Sequence, residues 1–375
     1  MNFGFTEEQE LLRAEVCKFL DQRCPLDEVR KLVETPEGFS RELWKETAEL
    51  GWLGLTIPEA HGGAGLGWVD LVVLLEETGR TLFPSPLVAT TLAAAAIRAS
   101  GSDAQRKRWL PLLADGSRIG TFAFLEASDL HQPEGVQLAG RPDGDGWRLS
   151  GEKLFVPDGG AADVLVVAFR TGAAPKEIGL ALVERDAPGV TAEAVPSMDL
   201  SKRFGRLALD GARVGPGDLL GRPGAAWPAV ARLLDLGACA VAAEAVGAAQ
   251  AVLQLTVGYA KNRVQFGEPI GRFQGVKHPL AEMYVDVESF RSLVYYAAWA
   301  LDESPDEAPL AVSRAKAYVS EAFPRIGIDC IQLHGGIGYT WEYDAQLYLK
   351  RAKWARSLFG DAEHHYERIA QLGGL

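Results

Sequence analysis

Tyr259-Ala-Lys-Asn-Arg-Val-Gln-Phe-Gly-Glu-Pro-Ile-Gly-Arg-Phe-Gln-Gly-Val-Lys-His-Pro-Leu-Ala-Glu-Met283 joins two helical segments through a connection rich in Gly and Pro. Arg263 and Phe266 close the first segment, with Arg263 expected in its last turn, where a cation complements the helix dipole. A cap and a turn would account for that much. The same short connection also carries two carboxamides, Gln265 and Gln274, and a second aromatic, Phe273. Guanidinium, carboxamides and aromatic rings together suit a planar ligand that bears phosphate.

Outward from this stretch, the bulk numbers narrow the class. A chain of 375 residues, 47% hydrophobic and 23% charged, has room for two or three domains with sizeable cores. Its net charge of -12, without a Lys/Arg run, disfavours nucleic acid and anionic membranes as partners. The start, Met-Asn-Phe-Gly-Phe-Thr-Glu-Glu, lacks the basic and apolar regions of a signal peptide, and Asp235 and Glu244 interrupt the most apolar run. These features point to a cytosolic protein. Cys17, Cys24, Cys239 and Cys330 form no C-x-x-C pair, so they are expected as buried, reduced thiols. His364 and His365 are adjacent on a predicted helix and point about 100° apart, which favours a solvated face over a metal site. No metal site is expected.

In chain order, Thr6-Glu-Glu-Gln9 has the form of a capping box and opens a helix to about Cys24. Ser40 starts a second, ended by Gly51, and the Gly-rich 58–67 segment reads as loop. Helical patterns follow over Trp68 to Arg80, Pro86 to Ala99 and Asp103 to Ala114. The period then changes. Short apolar or alternating runs at Thr121 to Leu125, Trp147 to Leu149, Val164 to Phe169, Gly179 to Val183 and Leu207 to Leu209 are separated by turn clusters and predict a small β domain. After Pro228 four long Ala-rich helices are expected, over Ala229 to Asn262, Lys277 to Asp302, Glu307 to about Leu333, and Tyr343 to Leu372. The expected fold class is α+β: an N-terminal helical domain over 1–117, a central β domain over 118–220 and a C-terminal four-helix bundle over 221–375.

The pattern Y-A-x-x-R-x-Q-F-G-x-P-I-G-x-F-Q-x-x-x-H-x-L-A-x-M closely resembles the hallmark of the acyl-CoA dehydrogenase family. Gln332-Leu-His-Gly-Gly-Ile-Gly-Tyr-Thr-Trp341 resembles its second hallmark, and Gly51-Trp-Leu-Gly-Leu-Thr-Ile-Pro58-Glu59 with Gly62, Gly63 and Gly65 its N-terminal one. The resemblance spans essentially the whole chain and implies FAD as cofactor and an acyl-CoA as substrate. It implies a tetramer, a dimer of dimers in homo- or hetero-oligomeric form, with electron-transfer flavoprotein as the usual acceptor. Arg263, Gln265, Phe266, Gln274, Gln332, Gly335 and Gly336 resemble the full set that binds the pyrophosphate and adenosine of FAD, a set that in this family reaches a neighbouring subunit's cofactor.

The implied chemistry is α,β-dehydrogenation of a CoA thioester, in which a carboxylate takes the α-proton and donors hold the thioester oxygen. In the commonest branch that carboxylate lies in a Tyr-Glu-Gly-Thr turn, which here corresponds to Leu358-Phe359-Gly360-Asp361 and puts Phe359 at the base position. Its main-chain N–H remains available in principle as a thioester donor. Another branch places the base 26 residues ahead of the RxQFG arginine, and Gly237 stands there. Glu244, seven residues on and roughly 10.5 Å along the same face, is a weak candidate for an unconventional base, with a salt bridge as the plainer role. Asp235 falls where family members place a polar substrate contact. The flavin-facing strand is depleted: Leu125 replaces a Thr, and Phe155-Val156-Pro157 keeps the stacking aromatic but loses the hydroxyl and one N–H. The chain thus reads as better equipped to clamp a partner's FAD than to use its own. Trp341-Glu-Tyr-Asp and Leu358-Phe-Gly-Asp361 resemble bacterial heterotetrameric members of steroid side-chain degradation. The alternatives are a self-sufficient homotetramer with a non-standard base, a binding or assembly protein on the same fold and, more remotely, an oxidase or monooxygenase.

Overall fold

The computed structural model describes residues 5–375. Helices α1 (Glu7–Arg23), α2 (Leu26–Leu32), α3 (Arg41–Glu49), α4 (Trp68–Arg80), α5 (Leu87–Ser100) and α6 (Asp103–Ala114) precede seven strands. The strands are β1 (Gly120–Ala123), β2 (Ala139–Asp143), β3 (Gly146–Pro157), β4 (Val164–Arg170), β5 (Ile178–Glu184), β6 (Val190–Val195) and β7 (Phe204–Val214). Helices return with α7 (Trp227–Asn262), α8 (Gln274–Glu303), α9 (Ala308–His334), α10 (Ala345–Ser357) and α11 (Ala362–Gly373). The described residues form two compact units, one of residues 5–31, 68–83 and 238–375 and the other of residues 32–67 and 84–237.

In the second unit the strands form one sheet in the order β1-β4-β2-β3-β7-β6, with β5 also paired to β4. β4 runs parallel to β1 with Gly120 opposite Val164, and antiparallel to β5 with Val164 opposite Glu184. Leu149, Val156, Leu165, Val167, Phe169 and Leu209 are among the residues of the core on this sheet. β4 is buried on both faces, so it reads as a continuous apolar run rather than an alternation.

In the first unit α1 starts at the Thr6 capping box, with the Gln9 N–H donating to Thr6 Oγ1 at 3.2 Å and the Gln9 carboxamide accepting from the Thr6 N–H at 3.1 Å. The buried stretch of α4 from Leu71 to Gly79 includes two consecutive carboxylates. Glu76 accepts from Arg13 (3.3 Å), Arg291 (3.2 Å) and the Tyr295 hydroxyl, and Glu77 from Arg80 (2.6 Å) and the Cys17 thiol (2.9 Å), so α1 and α8 neutralise the buried face of α4. α4 crosses α7 through two glycines. A Cβ on Gly79 would lie 1.9 Å from the carbonyl oxygen of Glu244, and one on Gly247 would lie 1.7 Å from that of Glu76. This backbone-to-backbone approach closes α4 down on the stretch of α7 that carries Glu244. α9 packs against α8, α10 and α11.

Several expectations change. The helix expected over Tyr343 to Leu372 is broken at Leu358–Asp361, where Phe359 and Gly360 have φ of +59° and +96° and Asp361 caps the next helix through its side chain. Arg263 lies just past the end of α7 rather than in its last turn. His365 is fully buried, not on a solvated face, and Cys17 is half-buried. The half-exposed strands β2 and β6 and the short helix α2 carry too little apolar periodicity to be anticipated. Among the described residues α7 is the one helix long and apolar enough to cross a membrane, and its apolar window is 89% buried in the protein.

Candidate functional site

Past α7 the chain makes a tight hairpin. Val264–Gln265 pairs antiparallel with Glu268–Pro269, and Phe266 and Gly267 between them have φ of +54° and +78°, the pattern of a type I′ turn. A Phe in the left-handed region is costly. Here it throws the ring outward: Phe266 is 93% exposed, with an edge contact to Phe273 at 6.1 Å. Arg263, Gln265 and Gln274 are exposed on the same segment. Four residues before Arg263, the Tyr259 ring packs on His334 at 4.5 Å, and His334 packs on Tyr343 at 4.8 Å. That contact seats the hairpin beside the Gln332-to-Gly336 turn, where Gln332, Gly335 and Gly336 are also exposed and a Cβ on either glycine would meet nothing within 4 Å. Sequence positions some seventy residues apart thus come together as one cation, three carboxamides and an open, glycine-lined stretch of main chain. This donor set fits a pyrophosphate and a purine.

The turn between α10 and α11 is built differently. Phe359 is buried, and the polar atoms around it belong to other residues. The Lys316 ammonium, 0% exposed on α9, donates to Gly360 O (2.6 Å), Ser320 Oγ (2.9 Å) and Arg356 O (3.0 Å), which uses all three of its N–H groups. His365 Nε2 lies 3.0 Å from Phe359 O; a carbonyl only accepts, so Nε2 carries the proton. The Asp361 carboxylate accepts from the His364 N–H at 2.9 Å. The carboxylate nearest in sequence to Phe359 is therefore engaged as a helix cap.

Glu244 is 2% exposed, and its Oε2 lies 4.0 Å from Nη1 of Arg351, itself 0% exposed on α10. At that separation the contact is ionic rather than a hydrogen bond. Arg351 also stacks on Trp354, with its guanidinium carbon 5.6 Å from the ring centre. In the same helix as Glu244, Asp235 and Gly237 are buried.

In the other unit the register of β3 on β7 slips between Lys153 and Val156. A bulge of this kind re-aims a side chain. Phe155, at φ +50°, stands out from the sheet at 48% exposure and touches Phe204 edge-on at 5.7 Å. The bulge is anchored from below. Lys153 is fully buried, its pKa pushed down to about 8 by desolvation against the pull of Glu126, and it donates to Glu126 Oε1 (2.6 Å) and Phe124 O (2.9 Å). Leu154 N–H donates to Leu125 O at 2.8 Å. The exposed aromatic is present, with Pro157 two residues on accepting from the Thr121 hydroxyl through its carbonyl at 2.5 Å.

Comparison with known proteins settles what these parts belong to. The family model described as acyl-CoA dehydrogenase, C-terminal domain, matches residues 224–373, and that of the N-terminal domain matches residues 6–117. The chain belongs to the acyl-CoA dehydrogenase family. It is 35% identical over 365 residues to acyl-CoA dehydrogenase IpdE2 of Mycolicibacterium smegmatis, covering 97% of this chain and 98% of the relative. Among solved structures it is similar to the Tcur3481-Tcur3483 steroid ACAD (35% identity, TM-score 0.88, 98% of both chains). It is also similar to the ChsE4-ChsE5 complex from Mycobacterium tuberculosis (30% identity, TM-score 0.92, 100% of this chain and 99% of that one).

As an acyl-CoA dehydrogenase the protein is an FAD-dependent oxidoreductase acting on the CH–CH bond of acyl-CoA. Lys316, Arg351 and Lys153 escaped the sequence reading, and His365 was read there as solvated. Each is a single charge or imidazole within a helix or strand, and an interior lysine between Ala315 and Ala317 was the one local hint.

Proposed function

We propose that the chain is a subunit of a hetero-oligomeric acyl-CoA dehydrogenase, acting on acyl or steroid side-chain CoA thioesters, whose turnover depends on a partner subunit that carries the base. The observation that carries this reading is the Phe359 turn: a buried phenyl ring at the base position, with Asp361 spent on a helix cap and Glu244 enclosed beside Arg351. A phenyl ring accepts no proton. Gly237, at the alternative base position, offers no side chain either.

The residues that remain divide the work. Arg263 neutralises the pyrophosphate of FAD, Gln265, Gln274 and Gln332 donate to its polar edges, Phe266 covers the adenosine, and Gly335 and Gly336 let the main chain approach closely. Bound FAD supplies a hydride acceptor for the β-hydrogen. Supported by the relatives that are steroid enzymes or two-protein complexes, we assign this clamp to a cofactor shared with the partner. In the chain's own site the Phe359 N–H is the donor to a thioester oxygen and Asp235 a polar contact to the substrate; that site binds the thioester without removing its α-proton. Electrons leave to an electron-transfer flavoprotein.

Dye-coupled turnover tests the reading, with the chain purified alone and then co-expressed with base-bearing homologues of the same source. A rise of at least about a hundred-fold with one partner is expected, the scale of a positioned general base. Equal turnover by the chain alone would overturn it.

A further inference from the structure

The turn that carries Phe359 is held from beneath by two buried bases. Lys316 of α9 and His365 of α11 are both 0% exposed, and between them they capture the carbonyls of Arg356, Phe359 and Gly360. Ser320 adds a second donor to Arg356 O at 3.2 Å. With the peptide planes after Phe359 fixed in this way, the left-handed φ of Phe359 sets the direction of the plane that bears its own N–H. Gly360 is required here: a Cβ would lie 2.4 Å from His364 Cδ2 and 3.0 Å from His365 Nε2, at a φ of +96°.

The two bases do not tolerate a second charge. His365 donates through Nε2, and its Nδ1 is buried with no hydrogen-bond partner. Protonating that nitrogen would create a buried N–H with nothing to accept it. The charged groups facing His365 oppose it as well: Lys316 from α9, and Arg368 and His364 from its own helix. Asp361 of the turn is the counter-charge and acts on Lys316. We infer that His365 and Lys316 are positioning residues for the Phe359 N–H, and that His365 makes the turn acid-labile, closed while its imidazole is neutral and opened when it is charged.

Burial acts in the same direction, pushing His365 well below 6.5 and Lys316 down to about 7. For bases depressed in the closed state, stability of that state is present above the open-state value and is lost as pH falls towards the closed-state value. For Lys316 that loss runs from 10.5 down to about 7 and is complete above the acid range, whereas for His365 it begins below 6.5. This inference rests on the proposed role of the Phe359 N–H as a thioester donor, and the two are separable.

Hydrogen exchange of the segment 356–362, followed by mass spectrometry in the assembled enzyme, tests it. Corrected for intrinsic exchange rates, protection in the wild type is expected to fall at least about ten-fold between about pH 7 and about pH 5.5, while segments of α7 hold. His365→Gln, which keeps an amide donor but takes up no proton, is expected to stay within about two-fold over the same range. Wild-type protection that does not change with pH overturns the inference, whether or not the variant folds; so does a folded His365→Gln that opens as the wild type does. Crotonyl-CoA added at pH 7.5 provides the separate check. Failure of that probe to protect the segment, with the pH transition intact, would remove the thioester-donor role and leave the acid-labile turn standing.

Discussion

Arg351→Met is expected to destabilise the chain by about 3–5 kcal/mol, the cost of leaving a buried carboxylate without its countercharge. Arg351 has no exposed surface and Glu244 almost none, so neither charge is solvated once the other is removed. Replacing both charges gives a different outcome. Arg351→Met combined with Glu244→Leu removes the need for compensation and is expected to recover most of the loss, because a buried ion pair contributes little beyond what a packed apolar pair would. Urea unfolding of the two single variants and the double variant measures the coupling. The same series separates structure from catalysis. Glu244→Gln in the assembled enzyme is expected to leave turnover per folded molecule within about two-fold, whereas loss of a general base costs on the order of a hundred-fold or more.

Arg263→Gln is expected to weaken FAD retention by about 10- to 150-fold without changing the fold. Arg263 is exposed at the end of α7 and its main-chain N–H already caps Tyr259 O at 2.8 Å, so the guanidinium is not needed to end the helix. A charge-assisted hydrogen bond to a pyrophosphate contributes about 1.5–3 kcal/mol, which converts to that range. The residual affinity should also lose much of its salt dependence. Flavin fluorescence on dilution of the complex provides the measurement, with circular dichroism to show an unaltered helix content. Retention equal to wild type would mean the hairpin faces something other than the cofactor.

What the sequence carried depended on whether the deciding interaction was local. The Thr6 capping box, the Ser40 cap and the limits of Trp68–Arg80 and Asp103–Ala114 were readable because the residues that start and stop those helices lie within one turn of the ends. The donor set of the cofactor clamp was readable for a related reason: Arg263 to Gln274 is one short connection, and the resemblance supplied its second half at Gln332 to Gly336. Strands β2 and β6 failed that test, since the alternation of a half-exposed strand is short and is sorted out by its neighbours. The buried charges failed it more completely. Nothing near Lys316, His365 or Arg351 in the chain reveals that each is fully enclosed, because what encloses them is distant: Lys316 meets the carbonyls of Arg356 and Gly360, 40 and 44 residues on, Arg351 meets Glu244 of α7, and His365 faces Lys316 of α9 although its bond to Phe359 O is local. The Leu358–Asp361 turn illustrates both sides. Gly360 marks a break, but the left-handed φ of Phe359 follows from contacts that only the folded bundle supplies.

The most direct test of a chain that clamps FAD but carries no base is its visible spectrum when purified alone, followed by anaerobic addition of acyl-CoA. Little or no bound flavin is expected, with no bleaching of what is present; with a base-bearing partner the complex should retain FAD and bleach on mixing. A chain that holds a full complement of FAD by itself and bleaches with acyl-CoA would contradict the account, and would mean that the chain carries its own proton acceptor, Glu244 or another carboxylate.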